Sequence, residues 1–198
     1  MAQPEGSQAV KVGVRLARQP DDLGEWLADG SAFEAAGADA LWVDPAPDPR
    51  LDPLVLTAAL AAVTFRSLLI MTLPASDRSS PVLARTLATI GRLSRGRLGI
   101  FAGAGPVGTL PGVGPNPRVF RPVPGDPGAV EHTYGPDPVE RWARVRCPDG
   151  RVAWRATLLE VTERGFQGLL VPADPRLLDI LRNPDDPGYR HDLQLAQG

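Results

Sequence analysis

A parallel α/β fold is predicted for this 198-residue chain by three observations. Between residues 11 and 103, apolar runs of strand length alternate strictly with segments of helix length. Two of those runs, Leu68 to Leu73 and Leu98 to Ala102, are apolar throughout, as strands are in a sheet covered on both faces. The segment between them carries helix start and stop signals, so the whole stretch SLLIMTLPASDRSSPVLARTLATIGRLSRGRLGIFAGAG reads as a βαβ crossover. Such alternation builds either a wound open sheet or a barrel of the β/α type. In both, the site lies at the carboxyl ends of the strands.

The first strand is KVGVRL, Lys11 to Leu16. In the helix that follows, Asp22 and Glu25 have the spacing of a capping box, Leu23, Trp26 and Leu27 share one face, and Gly37 is the stop. Ala40 to Val43 is the second strand, with Asp44 at its carboxyl end. Asp52 and Pro53 open the helix PLVLTAALAAVTF, which is apolar all round and so is either enclosed or pressed against another subunit. The helix of the crossover starts at Ser80 and Pro81, and Arg92, Arg95 and Gly96 mark its end.

From Gly105 to Pro138 the periodicity stops, and turn residues crowd the segment. A loop of this length is either a functional lid or a disordered insertion. Residues 139–155 read as a β-hairpin, Glu140 to Arg146 and Arg151 to Arg155 around Asp149-Gly150. A helix (156–165), the strand Gly168 to Val171, and a last helix opened by Asp174-Pro175 complete residues 156–183.

Composition narrows the function. The chain carries 21 basic and 23 acidic residues, so it lacks the basic footprint of a nucleic-acid binder. Cys147 is the single cysteine, which excludes an internal disulfide and a cysteine-rich metal site. Without an apolar run of membrane-span length or a signal-peptide layout, the expectation is a soluble cytoplasmic protein with no membrane partner. His132 and His191 lack a neighbouring nucleophile or metal-ligand spacing and read as surface residues. Cys147 has no sequence neighbour that would lower its pKa and reads as nonreactive.

The run from Leu41 to Gly105 resembles the amino-terminal half of the luciferase-like monooxygenase family. The similar features are the tryptophan in the second strand, the DPL-opened Ala/Leu helix, the strand ending near Leu-Pro, the RLSRGRL helix end and the Gly-Ala-Gly strand end. The resemblance covers residues 11–105, and ERGFQGLLVPADPRLLDILRN is similar to the family's last strand and helix. It implies a TIM-type (β/α) barrel with FMN or the deazaflavin F420 lying across the strand ends. By position it puts Asp44 beside the ring system, and Leu73, Pro74 and Ala75 where the third strand carries an unusual peptide bond behind the ring. Gly103 and Gly105 would let the backbone approach a flat ring, and Arg78 would meet a phosphate or polar tail. The bland counterparts are that Asp44 begins a turn, the two glycines end a strand, and Arg78 pairs with Asp77 in solvent.

A full barrel of this type takes about 250 residues and eight strand–helix units, and five units are legible here. The expected architecture is therefore a truncated barrel of parallel strands, with the inserted hairpin bringing the strand count to about seven and patching an open edge. Two functions follow from the resemblance. One is a flavin- or F420-dependent oxidoreductase or monooxygenase acting on a small-molecule substrate. The other is a catalytically degenerate relative that serves as a cofactor-binding or partner subunit. Either is expected as a homodimer, or as a heterodimer with a full-length relative, through the apolar helix Leu54 to Val63.

Overall fold

A computed structural model describes residues 9–16, 22–43, 51–73, 81–103, 118–133, 139–184 and 186. Its strands are β1 (Lys11–Arg15), β2 (Ala40–Val43), β3 (Leu68–Thr72), β4 (Leu98–Phe101), β5 (Arg118–Val123), β6 (Asp126–Thr133), β7 (Glu140–Arg144) and β8 (Gly168–Pro172). The helices are α1 (Leu23–Ala35), α2 (Pro53–Val63), α3 (Pro81–Leu93), α4 (Arg151–Glu163) and α5 (Pro175–Arg182). The strands close into a barrel in chain order, β8 pairing with β1 in parallel from Lys11↔Gly168 to Arg15↔Pro172. β6 runs antiparallel to both its neighbours, and every other pairing is parallel.

Three of the predicted helix starts form as their chemistry dictates, while Ser80 lies outside the described residues. The Asp22 carboxylate accepts from the Glu25 N–H at 2.9 Å, Asp52 from Leu54 and Asp174 from Arg176, both at 2.8 Å. On α1 the buried face is Trp26, Gly30, Phe33 and Glu34, while Leu23 is exposed.

Two sequence expectations are corrected between β4 and β8. The hairpin is β5–β6, turning at Pro124-Gly125 inside the stretch read as structureless, and Gly125 supplies the positive φ of 80°. Its prolines obscure it because Pro disfavours a central ladder, yet here the register shifts between Pro122 and Val123, and β7 pairs with β6 only from Ala129 onward. Arg151, read as the start of a second hairpin strand, instead opens α4. Gly150, at φ 89°, is the N-cap of that helix, so the Asp-Gly signal marks a strand-to-helix turn. The barrel is thus short of helices and not of strands: among the described residues eight strands close with five helices, and no edge is left open.

Inside, residues of alternating strand positions meet as one cluster: Ala40, Trp42, Leu68, Ile70, Phe120, Val130, Trp142 and Leu170. Three glycines make room for the large members. A Cβ at Gly168 would lie 2.4 Å from the Trp142 ring, one at Gly13 2.5 Å from the Leu170 side chain, and one at Gly99 3.2 Å from Ile70. The opposite strand faces pack outward against the helices, with Met71, Leu73, Leu83, Leu87, Ile90, Leu98 and Ile100 joining α3 to the barrel.

A polar knot fixes the entry to β3 and β4. The buried Glu34 carboxylate accepts from the backbone N–H groups of Phe65, Arg66 and Ser67 at 2.7–2.9 Å. Arg97 donates to the carbonyls of Ser67 and Thr64, each at 2.7 Å. Burial alone would raise the Glu34 carboxyl, but the donations from Ser67, Arg66 and Phe65 outweigh it and hold it below its ordinary value of 4.5.

Two predictions follow from this packing. Gly168→Ala is expected to lower the unfolding free energy by about 1–3 kcal/mol in urea denaturation, and wild-type stability in that variant would contradict the interlock with Trp142. The Glu34 contribution is complete above the unfolded carboxyl value of 4.5 and is lost as pH falls through the lowered folded value. Glu34→Gln is therefore expected to be less stable than wild type at neutral pH, and to show a shallower loss of melting temperature below about pH 4.5. Parallel pH profiles of the two proteins would exclude that role.

Candidate functional site

The carboxyl ends of the strands form a mouth whose floor is apolar and whose rim is polar. Trp42, Ile70, Phe120, Trp142 and Leu170 are buried in the floor. Above it, the interior-facing positions are Arg15 on β1, Thr72 on β3, Phe101 on β4, Arg144 on β7 and Pro172 on β8. Each lies two residues beyond an interior partner on its own strand: Gly13, Ile70, Gly99, Trp142 and Leu170. Arg15, Thr72 and Phe101 are half-buried, and Arg144 and Pro172 are exposed.

Aromatic rings define one side of the mouth. Trp42 and Phe101 have centroids 5.2 Å apart at 57°, and Trp42 meets Phe120 edge-on at 5.6 Å. Arg144 reaches across from β7, so that its guanidinium carbon stands 5.6 Å from the Phe101 ring centroid, a cation–π contact. These positions come from strands far apart in the chain and meet only because the barrel closes.

Of the residues assigned through the family resemblance, Leu73 and Gly103 fall among the described ones, while Asp44, Pro74, Ala75, Arg78 and Gly105 lie outside them. The Leu73 side chain is buried against α3 and faces away from the mouth, leaving its backbone at the strand end, where its N–H meets the Phe101 carbonyl at 3.3 Å. Gly103 continues the interior-facing parity of Gly99 and Phe101, and a Cβ built on it would meet nothing within 4 Å among the described residues. Its φ lies outside the left-handed region, so the glycine is not required by backbone strain. No peptide bond among the described residues is cis.

The other end of the barrel holds a second polar group. Lys11 donates to Glu140 at 2.5 Å, the Trp142 indole N–H lies 3.3 Å from the same carboxylate, and His132 Nδ1 lies 3.6 Å from it. Lys11 and Glu140 are the first residues of their strands, and His132 stands near the end of the antiparallel one, so the cluster plugs the amino-terminal end. His132 is buried and stacked on Phe120 at 4.5 Å, which corrects its reading as a surface residue. Burial works to raise the Glu140 carboxyl, but Lys11 outweighs it and holds the group below the ordinary range. In β/α barrels residues at this end serve stability, and the chemistry sits at the other.

Outside the barrel, a groove of about 470 Å³ runs between Asp149, Gly150 and Arg151 and the start of α5. Its cations are paired locally, Arg151 with Asp179 at 2.8 Å and Arg176 with Asp174 at 3.0 Å. Burial and the nearby Asp174 carboxylate push the Cys147 thiol up, against thiolate chemistry. Among the described residues no His, Cys, Asp and Glu cluster suits a metal ion, and no helix is long and apolar enough to cross a membrane.

Fold and mouth together define a β/α barrel with its candidate site at the carboxyl ends of the strands. A model of the luciferase-like monooxygenase family matches residues 7–109, half of the chain, and the chain belongs to that family. Among solved structures it is similar to a riboflavin lyase determined with modified FMN and riboflavin, at 24% identity and a TM-score of 0.37 over 46% of this chain and 29% of that one. It is also similar to the EDTA monooxygenase of Chelativorans sp. BNC1, at 21% identity and a TM-score of 0.39 over 48% of this chain and 28% of that one. The matched part is thus less than a third of either enzyme's length. No curated protein matches the sequence.

Proposed function

We propose that the protein holds a flavin or deazaflavin ring across the mouth of its barrel and acts as an FMN- or F420-dependent oxidoreductase of monooxygenase type on a small-molecule substrate. The observation that carries this reading, beside family membership, is Gly103 at the rim, where a Cβ would meet no described atom within 4 Å, next to Phe101 backed by the buried Trp42. A flat ring needs an apolar face to rest on and backbone that it can approach closely, and these residues provide both. When bound, the ring supplies the electron or hydride transfer, as cofactors of this kind do.

The chain's own residues supply binding and orientation. Phe101 presents one face of the site, backed by the buried Trp42, while the floor of Ile70, Phe120 and Leu170 keeps water from reaching it from inside the barrel. Thr72 and the two arginines stand at the polar edge, where hydrogen-bond donors and positive charge favour the electron-rich ring of a reduced cofactor. Asp44, Pro74, Ala75, Arg78 and Gly105, which follow β2, β3 and β4 in the sequence, belong to the same proposal. A second reading, a cofactor-binding or partner subunit without turnover, draws support from β5 and β6, which follow one another as an antiparallel hairpin with no helix between them.

The proposal includes a homodimer, or a heterodimer with a longer relative, through α2 and its neighbour α3. Val55, Val63 and Phe65 are exposed at and just beyond α2, and Val82 and Leu93 on α3. Such apolar exposure on two adjoining helices favours a protein partner.

Two measurements test these proposals. Absorbance titration of the purified protein with oxidised and reduced FMN and F420 is expected to give saturable binding, weakened about tenfold (~1.4 kcal/mol) in Gly103→Val at unchanged melting temperature. Absence of binding to either cofactor in both redox states would remove the reading, and binding without substrate-dependent reoxidation would select the subunit alternative. Light scattering is expected to find a dimer that Val55→Glu converts to monomer. A monomeric wild type at high concentration, with no partner recovered, would refute the interface.

A further inference from the structure

We propose that Arg15 and Arg144, on the strands that flank β8, form an anion subsite at the mouth, which takes the phosphate or carboxylate of a ligand whose flat body lies beside Phe101. The inference deepens the proposed function and rests on it only for the nature of the flat body. Arg144 pairs with Leu170 and Arg15 with Pro172, so the two arginines rise from interior-facing positions on either side of the same strand. Beneath them lie Trp142 and Leu170, both buried, and between them the exposed Pro172 offers no N–H of its own.

A guanidinium over an apolar floor acts on an anion with less solvent screening than it would on an open surface. Guanidinium forks suit planar or tetrahedral oxyanions, which accept paired hydrogen bonds from them. Arg144 already stands over the Phe101 ring, so an anion held there is placed beside an aromatic face and not in bulk solvent. Both arginines have further contacts within the protein, and the subsite requires only that a ligand oxyanion join them. Their place is also distinct from the amino-terminal plug, where Lys11 is matched by Glu140.

The oxyanion has two sources, the phosphate of a cofactor or the carboxylate of a substrate, and binding measurements separate them. FMN and riboflavin, which differ by the phosphate, are titrated against wild type, Arg15→Gln and Arg144→Gln, with benzoate and benzyl alcohol as a second pair. Arg144→Lys serves as the charge-retaining variant. Arg141→Gln serves as the control, since Arg141 lies over Phe166 outside the barrel. A preference for FMN over riboflavin that both glutamine variants abolish supports the phosphate source. Equal binding of the two flavins, with benzoate but not benzyl alcohol bound and benzoate lost in both variants, supports the carboxylate source. Either loss is expected to be tenfold or more, smaller in Arg144→Lys and absent in Arg141→Gln, with melting temperatures unchanged. Benzoate binding that depends on both arginines in a protein that binds neither flavin would leave the subsite standing and refute the FMN reading. Unchanged affinities in both glutamine variants, or no binding of any of these probes to wild type, would overturn the subsite.

Discussion

The constraint on which this structure depends is steric: a barrel this small closes around Trp142 only because Gly168 and Gly13 have no side chain where its ring and Leu170 lie. Trp142, Trp42 and Phe120 together fill an interior that smaller side chains would leave void. β7, β8 and β1 are drawn into parallel register around that ring, and the first and last parts of the chain are joined there. Everything at the mouth inherits its position from this closure. Arg15 and Arg144 flank one strand, and Arg144 reaches Phe101, because the seam is shut.

The two ends of the barrel divide the work. At the amino-terminal end, Lys11 and the Trp142 indole donate to Glu140, with His132 beside the same carboxylate and stacked on Phe120. At the carboxyl end, the rim residues are half-buried or exposed above the same apolar layer. The aromatic layer separates them: at one end Lys11 is matched by Glu140, and at the other the two arginines stand at a half-buried to exposed rim.

Features with local physical causes were legible before any coordinates. Asp22, Asp52 and Asp174 cap their helices through contacts two or three residues away, and the strand–helix alternation up to Phe101 rests on periods that a short window reveals. Features set by distant partners were not. Arg118 to Thr133 reads as loop because Pro122, Pro127 and Gly128 hide the alternation, and the register shift that tolerates Pro122 exists only once β6 is in place. His132 reads as exposed because Lys11 and Glu140, which share its pocket, are remote in sequence or across the ladder. The arginines of the mouth had a faint signal: in KVGVR and ERWAR the alternation places them on the same face as Gly13 and Trp142. Only closure shows that this face is the inside.

The central claim is that a closed eight-stranded barrel presents its carboxyl-terminal mouth to a redox ring. A crystal structure of the protein soaked with FMN tests it most directly. The account predicts electron density for the ring at the strand ends, in contact with Phe101 and Gly103, with β8 hydrogen-bonded to β1. Density for the ring outside the barrel, or an open seam between β8 and β1, would contradict it.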